Sequence, residues 1–249
     1  MLLRSSLIFL LTTIYCGQLV ASPQKSEIDG IVYNVLRATP NAVRILWKDD
    51  KGTQLRTFAA AAEYLKQRKE DPLTLTNGGI FEPGGIPSGL LIQGGKELRP
   101  INHSDGNGNF FLKPNGVFLI GSQGAAVIRT EDFPIKGTQT YYAVQSGPLL
   151  LHRGKIHPAF SASSTSRLHR NGVGVTPTGE VVFLITDEDS PKRPNLYEFA
   201  KAFASLGCAD ALFLDGDLSQ MKTGFDIPNA ITHFGSIIAV TDQSQKNKK

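Results

Sequence analysis

The chain has 249 residues, 41% of them hydrophobic, and a formal net charge of +4. That is enough apolar material for one large core, and the charge lacks the basic stripe that nucleic acid requires. Two cysteines, Cys16 and Cys208, exclude a cysteine-built metal cluster and a disulfide framework.

Residues 1–21, MLLRSSLIFLLTTIYCGQLVA, carry Arg4, an apolar run from Leu7 to Ile14 and the small-residue end Leu19-Val20-Ala21. This is the pattern of a secretory signal peptide, too short and too threonine-broken to span a membrane. The expectation is an exported protein, periplasmic or secreted, with a domain over residues 22–249 and its core over about 28–240. Removing the peptide leaves 228 residues, and the loss of Arg4 lowers the net charge to +3. No second hydrophobic span follows, so no membrane span is expected.

EIDGIVYNVLRA (27–38) and AVRILWK (42–48) are rich in β-branched residues and read as a strand pair joined at Pro40-Asn41. RTFAAAAEYLKQRK (56–69) places Phe58, Ala61, Ala62 and Leu65 at helical spacing. Residues 73–95 read as strand, glycine-rich loop, strand. GVFLIG, YYAVQ, PLLLH, GVGVT and VVFLITD give further strands. NLYEFAKAFASLG (195–207) is the second helix, with Asn195 as N-cap and Gly207 at the stop. ALFLD ends on Asp215, and SIIAV (236–240) is the last strand. Roughly ten strands against two helices predict a single α+β (α/β mixed) domain. Its sheet should be mixed but largely antiparallel, with a few packed helices. Trp47 and Cys208 read as packing residues.

The strand ends share one composition: TNGGIFEPGG, NHSDGNGNFF, QSGP, RLHRNGVG and LDGDLSQ all mix glycine with amides, hydroxyls and charges. Turns alone need such residues, but five such loops beside apolar strands point to a shared site. GGIPSG lacks the Gly-Lys-Ser/Thr ending of a nucleotide loop, and QSGP lacks the G-x-S-x-G elbow. His103, His152, His157, His169 and His233 show no paired zinc spacing. DGDLSQM opens like a calcium loop, with Asp226 eleven residues after Asp215, but Gln220 stands where the glycine belongs. No cofactor is expected; a divalent cation at Asp215 and Asp217 is the weaker alternative.

What remains suits carbohydrate or phosphodiester chemistry, in which carboxyl groups flank the scissile bond. The available acids are Asp215, Asp217, Asp187 after VVFLIT, and Glu82 in IFEPGG. Arg170 offers a fork-shaped cation for phosphate or carboxylate. Asn77, Asn109, Gln145 and Asn171 supply the donor–acceptor pairs that sugar hydroxyls need.

Together, NGGIFEPGGIPSGL, GNFFLKPNGVF, QSGPLLLHRGKIHPAF, RNGVGV and LGCADALFLDGDLSQM resemble, in order, the phosphodiester glycosidase family, closest to its exported bacterial branch. The resemblance implies a sheet-built cleft and hydrolysis of a sugar-1-phosphodiester, or a similar anionic envelope glycan, at the glycosidic bond. It carries the family's Asn-Gly-Gly turn onto Asn77, Gly78 and Gly79, and its Gln-Ser-Gly-Pro onto Gln145, Ser146, Gly147 and Pro148. Arg170 matches its arginine, and Leu214 to Ser219, with Gly216, its aspartate loop. Asp217 departs from the family's second glycine. The expected catalytic acid is Asp215, with Asp187 or Glu82 as partner. Asn77, Gln145, Arg170 and Asp215 are expected to line one hollow. A glycan-binding protein without turnover and a metal-dependent phosphodiesterase are the alternatives.

Overall fold

The computed structural model describes residues 22–223 and 233–242. The signal segment 1–21, Asp226 of the calcium-like loop and the KNKK tail lie outside the described residues. β1 (Gln24–Ile28) and β2 (Ile31–Ala38) form a hairpin over Asp29-Gly30. Both turn residues have positive φ, 52° and 73°, the backbone of a tight turn whose twist matches its strands. β3 (Val43–Leu46) and α1 (Phe58–Gln67) come next, the helix capped by the Thr57 side chain and burying Phe58, Ala61, Ala62 and Leu65.

β4 (Pro72–Asn77) leads into the small hairpin β5 (Phe81–Glu82) and β6 (Ile86–Pro87), then β7 (Leu91–Gln93) and β8 (Lys96–Arg99). β9 (Gly116–Gly121) and β10 (Gly124–Arg129) form a second tight hairpin. β11 (Thr140–Ser146), β12 (Leu149–His152) and β13 (Lys155–Ile156) follow, then β14 (Asn171–Val175) and β15 (Val181–Thr186). α2 (Leu196–Ser205), β16 (Asp210–Asp215), β17 (Met221–Thr223) and β18 (Ile237–Thr241) complete the described chain.

The strands build a seven-stranded sheet ordered β1-β2-β15-β14-β16-β12-β13 and a five-stranded sheet ordered β10-β9-β11-β7-β8. A four-stranded sheet is ordered β17-β4-β18-β3, and β5 pairs with β6 alone. Two sequence expectations change here. The strands of residues 27–38 and 42–48 do not pair: β2 runs between β1 and β15, while β3 joins β18 in another sheet. The sheets are also not mixed. Every strand pairing among the described residues is antiparallel. Parallel pairs need long, usually helical crossovers, and the two α-helices among the described residues pack on sheet faces instead. The domain is strongly sheet-dominated.

The three larger sheets face a common core. Leu36 of β2, Ile45 of β3, Phe118 of β9, Val144 of β11, Phe183 of β15, Leu214 of β16 and Ile238 of β18 belong to one buried cluster. α2 covers the outer face of the seven-stranded sheet through Phe199 and Phe203, which pack with Tyr33, Leu184 and Phe213. α1 covers the four-stranded sheet in the same way, with Phe58 stacked on Phe234 at 4.8 Å. Each helix therefore buries one apolar stripe against one sheet face.

α2 also organises the chain before it. Asn195 accepts a hydrogen bond from the Glu198 N–H (2.9 Å), and Glu198 Oε2 accepts from the Asn195 N–H (3.0 Å), a reciprocal cap. The Asn195 amide donates to the carbonyls of Ala162 (3.2 Å) and Ser164 (3.0 Å). The residue is fully buried, so removing its amide strands several polar groups. Asn195→Ala should lower unfolding stability by about 2–4 kcal/mol, a cap plus two buried hydrogen bonds, measured by urea denaturation. A loss under about 0.5 kcal/mol would contradict this role.

Candidate active site at converging strand ends

β4 ends on Asn77, β11 on Ser146 and β16 on Asp215, while β14 begins on Asn171. Asn171 lies opposite Asp215 in the ladder, but Gly172 lies opposite Phe213, so β16 carries an extra residue there. Such a bulge bends the strand and re-aims its last side chains.

An amide knot ties these ends together. Asn171 Nδ2 donates to Thr76 Oγ1 (3.1 Å), the Asn77 carbonyl (3.1 Å) and Asn77 Oδ1 (3.2 Å). Asn77 Oδ1 also accepts from the Gln220 N–H (3.0 Å), and its Nδ2 donates to Ser219 Oγ (3.3 Å). The aspartate loop is thus stitched to β4 and β14 by buried amides. Gly78 donates its N–H to the Ser236 carbonyl (2.8 Å), and a Cβ there would lie 2.2 Å from Ser236 Oγ. At Gly79 a Cβ would lie 2.9 Å from the Gln145 carbonyl. The two glycines admit close packing between strand ends. Ser146 is fully buried; it donates to the Leu214 carbonyl (3.0 Å) and accepts from the Ile80 N–H (3.3 Å), so its hydroxyl holds two strands and is no free nucleophile.

Arg170 is 2% exposed. Its Nε donates to the Pro194 carbonyl (3.0 Å) and one terminal nitrogen to the Ser166 carbonyl (2.9 Å). No carboxylate lies within ion-pairing distance of it among the described residues. Burial pushes its pKa down to about 10, against the pull of nearby Asp217. Burial pushes the Asp215 carboxyl the other way, up to about 6, opposed by the Gly216 N–H (2.8 Å) and aided by the Asp217 charge.

Asp217 is exposed and accepts from the backbone N–H of His169 (3.2 Å). His169 Nδ1 faces Arg193 Nη1 in a short contact. A guanidinium only donates, so the imidazole accepts there and carries its proton on Nε2. Burial, then the Arg193 charge, lowers the His169 pKa, which keeps the ring neutral at pH 7. Arg193, like Arg170, has no carboxylate at ion-pairing distance among the described residues. His169, Glu188, Arg193, Asp217 and Ser219 line a cavity of about 380 Å³. A second cavity of about 190 Å³ shares His169 and Glu188 and adds Asn34, Asp187 and Lys222.

The remaining sequence candidates separate from this rim. Asp187 lines the smaller cavity but is committed to Asn34 (2.9 Å) and Lys25 (3.0 Å). Burial raises its pKa, yet those partners outweigh it and hold the carboxyl below its ordinary value. Glu82 is exposed in the β5–β6 hairpin and accepts from Ser88 Oγ (2.8 Å). Gln145 does not join the hollow. Its Oε1 accepts from the N–H groups of Leu90 (3.0 Å) and Asn102 (2.8 Å), and its Nε2 donates to the Asn102 carbonyl (2.7 Å). It faces the opposite side of β11 from Ser146, as strand alternation requires. Asn109 sits in the short turn Asn109–Phe111, its carbonyl packed near Gly147. Asn77, Asn171 and Ser219 are tied together, with Asp215 opposite Asn171 in the ladder, and Asp217 and Ser219 line the larger cavity. Arg170 lies over the Phe213 ring instead. Neither it nor Asn77 nor Asp215 lines either cavity, so the expected four do not line one hollow. His169 and Arg193 are additions that only the fold reveals. Among the described residues no group of three or more His, Cys, Asp or Glu is placed to hold a metal, and no helix is long and apolar enough to cross a membrane.

The raised Asp215 pKa is also a stability statement. Between pH 4 and 6 the folded state holds a proton that the unfolded state releases, so this carboxyl destabilises the fold as pH rises through that window. Asp215→Asn should therefore stabilise the protein by up to about 3 kcal/mol at pH 7.5, less whatever solvent screens. The gain should vanish near pH 4, as read from urea melts at both pH values. A pH-independent difference would contradict the burial of that charge.

The phosphodiester glycosidase family profile matches residues 73–224, which spans every strand end of this rim. The chain is 33% identical over 200 residues to the uncharacterized protein YigE of Escherichia coli (strain K12), covering 80% of this chain and 76% of YigE. Its fold superposes on the zebrafish N-acetylglucosamine-1-phosphodiester alpha-N-acetylglucosaminidase catalytic domain auto-inhibited by its pro-peptide. The TM-score is 0.65 at 15% identity, over 92% of this chain and 86% of that one. A hypothetical protein from Synechocystis gives 0.53 at 13% identity, over 88% and 61% of the two chains. The profile match and the YigE identity establish the relationship, and the structural likenesses extend it to the fold: this chain belongs to the phosphodiester glycosidase family.

Proposed function

We propose that the protein is an exported hydrolase that cleaves the glycosidic bond of a sugar-1-phosphodiester or a closely related anionic glycan. One observation carries this beyond family membership. The Arg193 guanidinium lines a cavity together with Asp217, and the buried Arg170 guanidinium feels the Asp217 charge; among the described residues neither arginine has a carboxylate at ion-pairing distance. Buried or cavity-facing arginines normally find an anion in the protein. Here a phosphodiester is the anion of matching geometry and charge. The signal-peptide pattern of residues 1–21 supports export.

In this reading the arginines hold the phosphodiester and draw negative charge away from the breaking bond. The bond between the anomeric carbon and the phosphate oxygen breaks, and both of its electrons leave with the phosphomonoester. A phosphate oxygen leaves more readily than an alkoxide, so a strong general acid is not required and one carboxylate suffices. Asp215 acts in its ionised form at the anomeric carbon, as nucleophile or as the base that takes a proton from water. Its raised pKa makes it a stronger base than an ordinary aspartate. The water oxygen ends on the sugar. Asp187 and Glu82, held by their own partners, drop out as second acids.

The test uses purified protein with an activated sugar-1-phosphodiester. Wild-type kcat/KM should rise with pH along an acid limb with an apparent pKa near 6, set by Asp215. Asp215→Asn should lose about 10³-fold or more and the limb with it. Arg193→Met should raise KM by about 10- to 100-fold, the loss of a charge-assisted hydrogen bond, with the fold intact by circular dichroism. Undiminished turnover of Asp215→Asn would remove Asp215 from the mechanism. Tight binding by the wild type without turnover would instead favour a glycan-binding role.

A further inference from the structure

A further cavity lies away from the strand-end rim. It has a volume of about 550 Å³ and lies where β3, α1, the β7–β8 hairpin and the start of β11 meet. It shares no lining residue with either cavity of the candidate site. Past Arg44, Glu70 and Tyr142 it continues into a cavity of about 490 Å³, where Tyr141 stands 39% exposed.

The wall of this groove is built and fixed. Arg68 is paired with Asp50 and lies over the Tyr64 ring at 4.1 Å from its centroid. Arg44 is paired with Glu70 and lies 5.7 Å from the Tyr142 centroid. Gln93 pins the Lys48 backbone from both sides, accepting from its N–H (3.2 Å) and donating to its carbonyl (2.7 Å). Two cations stay unmatched. Lys48 lies over the Trp47 ring at 4.1 Å, Lys96 is exposed, and neither has a carboxylate at ion-pairing distance among the described residues.

We propose that this groove is a second ligand site that binds an anionic oligosaccharide. With Tyr64 and Tyr142 already under arginines, the exposed Tyr141 of the adjoining cavity offers an aromatic ring to a sugar. The fixed Arg68–Asp50 and Arg44–Glu70 pairs offer donors and acceptors side by side, the combination that adjacent hydroxyls require. Lys48 and Lys96 meet the acidic substituents. An apolar ligand would strand these charged groups. A nucleic acid strand is disfavoured because Asp49, Asp50 and Glu70 leave the lining with one net positive charge and no basic stripe. Neither Asp215 nor Arg170 lines this groove, so ligand binding here is independent of the chemistry at the strand-end rim.

Isothermal titration calorimetry of the full-length protein with a hexameric oligogalacturonate tests this. The wild type should bind, more weakly as salt rises, and should prefer that probe to neutral maltohexaose. Lys48→Ala/Lys96→Ala should weaken binding by about 2- to 30-fold, the loss of two solvent-accessible charge contacts. Lys136→Ala/Lys155→Ala, which removes the same charge elsewhere, should keep it. Hydrolysis of a small activated sugar-1-phosphodiester should be unchanged in both variants. No binding by the wild type, equal binding by the Lys48/Lys96 variant, or equally tight and equally affected binding of hexathymidylate would overturn the proposal.

Discussion

A positive charge buried without a counter-charge is the constraint around which this strand-end rim is arranged. Arg170 lies within the protein, held by two backbone carbonyls and by no carboxylate at ion-pairing distance among the described residues. Removing a guanidinium from water costs several kcal/mol after relaxation, and two neutral acceptors offset only part of that. The Pro194 carbonyl that orients it sits directly before the capped start of α2, so the helix that covers the seven-stranded sheet also aims the cation. The same burial that lowers the Arg170 pKa raises that of Asp215. Each shift follows from burial, and the Asp217 charge acts on both groups.

Both helices were legible in the sequence because their signals are local. Thr57 and Asn195 cap them, and the apolar stripes repeat within ten residues. Sheet membership was not legible. Nothing local in residues 27–48 says that β2 will pair with β15 and β3 with β18; those partners lie well over a hundred residues away, and apolar alternation is the same for any sheet. The Asp29-Gly30 turn was readable as a hairpin signal, yet a long β-branched run hid it. Among the described residues, the all-antiparallel pairing goes with the shortage of helical crossovers.

At the site, residues at strand ends in glycine-rich loops were found because glycine and amides mark close backbone approach. Asn77, Arg170, Asn171, Asp215 and Ser219 belong to this set. Their roles shifted on folding: the amides and Ser146 turned out to fasten strands to one another. Gln145 departs from the expected hollow because adjacent residues on a strand face opposite ways: Gln145 bonds to Leu90 and Asn102, Ser146 to Leu214. His169 and Arg193 escaped notice because they come from separate loops and matter only as a pair. Asp217, where the resemblance implies a glycine, accepts a hydrogen bond from the His169 N–H.

The most direct measurement is a structure of the protein with a non-cleavable sugar-1-phosphonate analogue. The account predicts phosphonate oxygens within hydrogen-bonding distance of the Arg170 or Arg193 guanidinium, with the anomeric carbon facing Asp215. A ligand held elsewhere, with both guanidinium groups untouched, would contradict it.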